Sequence, residues 1–137
     1  MGKTIWRVGT TYLPVQNVEE STIWYETKLG AIVTYKDTEK AIINFANQSF
    51  FLVKASENTT ANFIDGAGNT HFSLTFEVDG VDALEDLHRQ FNKNDIKVGA
   101  IEDRGHPGKN FIFYDPSGNI FDVWSELSPD FKNRYTI

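Results

Sequence analysis

No cysteine occurs anywhere in the chain, which excludes disulfides, thiolate metal sites and a cysteine nucleophile. Basic residues are few and unclustered: 13 Lys and Arg stand against 19 Asp and Glu, for a formal net charge of −6. A nucleic-acid surface needs clustered cations, so that class of function is set aside. No apolar run reaches the roughly 18 residues that would suggest a membrane span. No charged-then-apolar leader with a small-residue cleavage site opens the chain. The expectation is a soluble, cytoplasmic protein. There is also no phosphate-cradling glycine loop and no nucleophile elbow or Ser-His-Asp signature. What the chain does have is a core: 40% of its 137 residues are hydrophobic and 14% aromatic. That suits one domain, or two small half-modules sharing a core.

In chain order, residues 7–16 read as a strand with a proline near its end, which suits an edge or a strand terminus. Asn17 then caps a helix with acids in its first turn and Gly30 as its stop, its expected inward residues being Ile23, Trp24 and Leu29. Strands follow at about 31–36, 40–46 and 49–55. Residues 56–69 are polar and aperiodic and read as a linker or flap. The order then repeats. A strand is expected over 71–78 and a helix over about 81–93, with Val81, Leu84, Leu87 and Phe91 on one stripe. Further strands are expected at 96–102, 109–115 and 119–125, before a polar tail that extends or frays. The last two strands join through Asp115-Pro116-Ser117-Gly118, where Pro116 presets φ and Gly118 accepts positive φ.

The repeat has a fixed offset: Val18 and its counterpart Val81 lie 63 residues apart, as do Thr10 and Ser73. Near the module ends, Phe50-Phe51-Leu52-Val53 is set against Ile120-Phe121-Asp122-Val123, which makes Leu52 the counterpart of Asp122. Each half is then β-α-β-β-β. One such module alone would leave a sheet face uncovered, so two modules sharing a curved sheet is the economical arrangement.

Two such modules, with LPVQNVEESTIWYETKLG in the first and FYDPSGNIFDVW closing the second, resemble the vicinal oxygen chelate superfamily of glyoxalases, bleomycin-resistance proteins and extradiol dioxygenases. The resemblance runs from about Arg7 to Glu126. It implies an α+β fold in which two βαβββ modules form a cupped, mainly antiparallel eight-stranded sheet with helices outside. Module one would cover about 5–56, the linker 57–69, module two about 70–127 and the tail 128–137. It also implies a homodimer and a small-molecule ligand. In metal-dependent relatives, ligands come from a His or Gln on the first strand of each module and a Glu on the last. The matching positions here are Thr10, Ser73, Leu52 and Asp122. Only Asp122 is a conventional ligand, whereas a divalent site needs three or more N or carboxylate donors. The expectation is therefore a protein that binds a small organic molecule without a metal cofactor. The alternative is a lyase, isomerase or dioxygenase that uses a divalent metal (Zn, Ni, Mn or Fe) with Asp122 and His71.

Asp122, an acid inside an apolar strand, is the central candidate: a metal ligand, an acid or base, a ligand contact, or a buried carboxylate satisfied by Thr10, Ser73 or backbone N–H groups. His71, two residues before Ser73, shares its face if the strand is continuous. It is then a base or ligand contact, or else a strand-entrance histidine bonded to a nearby loop. Tyr12 and Trp124 would wall a pocket or simply pack, and Trp24 reads as plain core. Arg104, His106 and Lys109 would reach an anionic substrate, or form a solvated loop. His88 reads as surface, and Glu126 as too far along its strand to join Asp122 without a bend.

Overall fold

The computed structural model describes residues 4–137. The chain divides after Thr60 into two compact units, each built on the same logic.

The first unit holds β1 (Thr10–Val15), α1 (Val18–Leu29), β2 (Ile32–Lys36), β3 (Lys40–Phe45) and β4 (Gln48–Lys54). Its sheet runs β1-β4-β3-β2, with β1 parallel to β4 and the other pairs antiparallel. Asn17 caps α1, its side chain accepting from the Glu20 N–H at 2.9 Å, and Gly30 ends it in the left-handed region at φ 70°. The phase of α1 differs from expectation. Val18, Ser21, Thr22 and Tyr25 are buried, whereas Ile23 is 48% exposed. Ser21 and Thr22 are small enough to be buried without large polar groups, and Thr22 returns its hydroxyl to the Val18 carbonyl at 2.6 Å. Tyr25 packs on Phe45, and Phe45 on Phe50. Leu13, Val15, Ile43, Phe50 and Leu52 complete this core.

The second unit has a two-stranded ribbon, β5 (Phe63–Ile64) with β6 (Thr70–His71). A three-stranded sheet, β7-β9-β8, follows: β7 (Thr75–Glu77), β8 (Asn110–Tyr114) and β9 (Ile120–Trp124), with α2 (Val81–Lys93) against it. Again the first strand lies parallel to the last, β7 beside β9. Leu84 and Phe91 of α2 are buried, and Phe91 meets Phe111 and Phe113 edge-on. Phe76 and Phe121 extend this aromatic core. His88, expected on the surface, is half-buried: its Nε2 lies 2.9 Å from the Gly99 carbonyl and its ring meets Phe111 edge-on.

In place of one eight-stranded sheet, the described residues form sheets of four, two and three strands. Three stretches of the second unit depart from the expected strands, the first being the segment 57–69, read as a linker, which contributes β5. The strand over 71–78 is interrupted at Phe72–Leu74. The stretch 96–102 touches β8 at two isolated bridges, Val98 with Phe113 and Glu102 with Asn110. Between them this stretch advances four residues while β8 runs back three, so one extra residue bulges out and breaks the ladder. The tail does not fray but forms α3 (Pro129–Tyr135), with Pro129 in its first turn.

The Asp115-Pro116-Ser117-Gly118-Asn119 turn is a polar clamp. Asp115 Oδ1 accepts from the N–H groups of Ser117 and Asn119, and Asn119 Nδ2 donates to Asp115 Oδ2. Asn119 Oδ1 accepts from the Ala61 N–H at 2.8 Å, and Asn62 bonds Gly118 and Ile120 in return. Thus the turn pins the start of its own unit. Asn119→Ala strips the Ala61 N–H of its acceptor and is expected to lower unfolding free energy by about 1–3 kcal/mol in urea titrations, the range for orphaning a buried polar group.

A second turn, between β2 and β3, has a pH signature. The Asp37 carboxyl is held below its ordinary value of 3.8, first by the Tyr35 hydroxyl and then by the N–H groups of Glu39 and Lys40. Its stabilising contribution is complete above that ordinary value and disappears as pH falls through the lower folded one. Asp37→Asn should therefore flatten the acid limb of the melting midpoint below about pH 4, as measured by thermal denaturation.

Candidate functional site

Strand β9 alternates cleanly. Phe121 and Val123 point to the aromatic core under α2, so Ile120, Asp122 and Trp124 share the opposite face. Cross-strand register adds Thr75 and Glu77 from β7 and Asn110 and Ile112 from β8 to that face. An open cleft of about 720 Å³ lies on it, with Phe72, Pro107, Trp124 and Leu127 as its apolar walls.

Asp122 is 2% exposed yet fully engaged at one oxygen: Oδ2 accepts from Thr75 Oγ1 at 3.1 Å and from Asn110 Nδ2 at 2.9 Å. Its Oδ1 lies 3.0 Å from Arg104 Nη1, an ion pair without hydrogen-bond alignment. Arg104 Nε donates to Glu102 Oε1 at 2.8 Å, and its guanidinium sits 5.5 Å over the Phe72 ring. The bulge after Val98 delivers Glu102 and Arg104 to this place. The loop beyond them is tied down from the other side. Trp124 Nε1 donates to the Pro107 carbonyl, His106 meets the indole edge-on, and the Lys109 N–H donates to Ser125 Oγ. Gly108, at φ 79°, has no room for a Cβ, which would fall 2.5 Å from Ser125 Oγ. Glu77 accepts from the Ser128 N–H at 2.9 Å and from its hydroxyl, and so tethers α3, whose Pro129 and Lys132 line the cleft.

The sequence-derived candidates separate. Asp122, Trp124 and Arg104 come together in the cleft, with His106 beside them. Glu126 joins them because the chain bends after β9 ends at Trp124. His71 and Ser73 do not line it. The break at Phe72–Leu74 cancels the alternation that would have given His71 the face of Ser73. His71 stacks on Phe63, and its Nδ1 contacts the Phe72 carbonyl at 2.6 Å. Thr10 and Tyr12 stand on β1 of the first unit, opposite Ser49 and Phe51, and Tyr12 is 63% exposed. Sequence reasoning missed Thr75, Asn110 and Glu102. The available signal was the strand parity of Thr75 and Asn110, polar residues on the face of Asp122.

The register also corrects the internal alignment by one residue. Leu13 pairs with Leu52, and its repeat counterpart Phe76 pairs with Val123. Leu52 therefore corresponds to Val123, and Asp122 corresponds to Phe51. Where the second unit has the Thr75–Asp122 hydrogen bond, the first has Tyr12 against Phe51, with ring centroids 5.1 Å apart.

The family model described as Glyoxalase/Bleomycin resistance protein/Dioxygenase superfamily matches residues 7–123. The chain belongs to this superfamily. Solved structures of the vicinal oxygen chelate fold resemble it at low identity. A lactoylglutathione lyase from Agrobacterium tumefaciens superposes with TM-score 0.70 and 16% identity, covering 89% of this chain and 95% of that one. The fosfomycin resistance protein FosX from Listeria monocytogenes, complexed with Mn(II) and sulfate, gives 0.72 and 12% over 96% and 99%. A glyoxalase/bleomycin resistance protein/dioxygenase from Nocardioides gives 0.69 and 14% over 93% and 89%. No curated protein matches.

Members of this superfamily that use a divalent ion need a donor set that the Asp122 neighbourhood does not supply. One carboxylate, one hydroxyl and one amide converge there, and the positive charge beside them is Arg104. Among the described residues no group of three or more His, Asp or Glu side chains is placed to hold a metal ion. A metal at Asp122 would have to displace a guanidinium already paired with that carboxylate.

Removing one member of a buried ion pair strands the other. Because Arg104 retains 27% side-chain exposure and keeps Glu102, Asp122→Ala is expected to lower stability by about 2–3 kcal/mol in urea titrations, below the range for a fully buried pair. Gly108→Ala, which strains the loop over Trp124, should lower it by roughly 1–3 kcal/mol and alter tryptophan fluorescence.

Proposed function

We propose that this glyoxalase/bleomycin-resistance-like chain binds a small organic molecule in the cleft of its second unit, and that it does so without the superfamily's divalent metal. The observation that carries this reading is the Arg104–Asp122 ion pair, 3.0 Å long, at the position to which the superfamily resemblance assigns a carboxylate ligand. A guanidinium paired with two carboxylates supplies positive charge there without a metal. Phe72, Pro107, Trp124 and Leu127 offer apolar area, and charged and polar side chains, Arg104, Asp122 and Asn110 among them, share the lining and would orient a ligand. Asp122 would act by fixing Arg104 and Asn110 rather than by taking up a proton, and His71 would have a structural role in its ribbon.

The chain is proposed to act as a homodimer in the cytoplasm. Ile5, Trp6, Val8 and Tyr12 leave apolar side chains exposed on the first unit that a second copy would cover. Light scattering on the purified protein should give twice the 15.6 kDa chain mass.

Metal analysis of protein purified without chelator should find no stoichiometric Zn, Ni, Mn or Fe, and calorimetric titration with these ions should show no tight site. Stoichiometric metal that is lost in Asp122→Ala would establish the metal-dependent lyase, isomerase or dioxygenase instead. A thermal-shift panel of metabolites and antibiotics should contain compounds that raise the midpoint, since a ligand of the folded form alone stabilises it.

A further inference from the structure

On the reading just proposed, the cleft floor constrains the chemistry of the ligand. Asn110 is 3% exposed, and its Nδ2 donates to Asp122 Oδ2. That bond fixes the orientation of the amide, because the reversed one would set two acceptors against each other. Asn110 Oδ1 is then a buried acceptor without a hydrogen bond, and so is Asp122 Oδ1. Native proteins seldom keep such groups unless a ligand or a bound water supplies the donor. Three nearby protein donors are committed elsewhere, Thr75 Oγ1 to Asp122 Oδ2, Trp124 Nε1 to Pro107 and Arg104 Nε to Glu102, while Arg104 Nη1 forms the unaligned ion pair with Asp122 Oδ1.

Charge points the same way. Glu77, Asp122 and Glu126 line the cleft against Arg104 and Lys132, three acids to two permanent cations, and Glu102 stands behind Arg104. A carboxylate or phosphonate on the floor would set acceptor against acceptor. Arg104 supplies the means of access. Its Nη1 meets Asp122 Oδ1 without hydrogen-bond alignment, while its Nε is anchored on Glu102. A ligand that displaced the guanidinium from Asp122 would leave it anchored on Glu102.

We infer that the cleft takes an organic molecule with a hydroxyl or amine head group. Its O–H or N–H donates to Asn110 Oδ1 and Asp122 Oδ1, and its aromatic or apolar body rests on Trp124 and Phe72. Specificity lies in donation: the site rewards a donor and rejects the same skeleton without one, because Asn110 Oδ1 would stay unpaired and Asp122 Oδ1 without a hydrogen bond.

A matched series on one skeleton tests this with the full chain: naphthylmethanol, naphthylmethylamine, the methyl ether of the alcohol, and naphthoate. Binding is followed by two-dimensional NMR at the Asn110 side-chain amide and the Trp124 indole. The alcohol and amine should bind about tenfold or more tightly than the ether and naphthoate and shift both signals. In Asn110→Leu the preference for the alcohol over the ether should shrink; if that variant does not fold, the wild-type series decides alone. Equal binding of alcohol and ether would overturn the inference while leaving the ligand cleft standing, with bound water as the partner of both acceptors. Tightest binding by naphthoate would overturn it in favour of Arg104 as an anion receptor. Failure of all four, or shifts only at residues outside the cleft, would overturn the inference and the proposed function together.

Discussion

A carboxylate survives in the middle of β9 because four groups surround it. Thr75 and Asn110 satisfy one oxygen, Arg104 neutralises the other, and Glu102 holds Arg104 in place. Much of the second unit serves this arrangement. Parallel pairing of β7 with β9 brings Thr75 beside Asp122, antiparallel pairing of β8 with β9 brings Asn110 near it, and the bulge after Val98 turns Glu102 and Arg104 inward. A buried ion pair of this kind adds little net stability over an apolar pair of similar volume, although breaking it is expensive.

The two units show how one strand arrangement serves two chemistries. In each, the first strand lies parallel to the last, and one face of the last strand packs under a helix. On the other face the first unit sets Tyr12 against Phe51, whereas the second sets Thr75 against Asp122. A strand shows opposite faces at successive residues, so a one-residue error in aligning the units exchanges core for site. Letter-by-letter alignment sets Leu52, a core residue, against Asp122, whereas the strand register sets it against Val123.

The legible parts were those with strong local chemistry. Asn17 and Gly30 marked the ends of α1, the apolar stripe marked α2, and the DPSGN turn marked the β8–β9 hairpin. Asp122 stood out because an acid is rare in an apolar strand. Weaker signals misled. The stretch 71–78 looks like one strand, but its middle residues leave the ladder and take His71 away from Ser73. The helix phase of α1 is not legible by letter because Ser21 and Thr22, polar residues, are buried, Thr22 with its hydroxyl bonded back to the helix backbone.

By itself the sequence determined the superfamily, the order of most elements and the identity of the one anomalous acid. These depend on turn residues, caps and periodicity, which act over a few neighbouring positions. Only the tertiary structure decided the partners of that acid. Thr75 lies 47 residues from Asp122 and Arg104 arrives on a bulged loop. Strand register and a one-residue bulge place them, and register is fixed by how whole faces pack rather than by any local pattern.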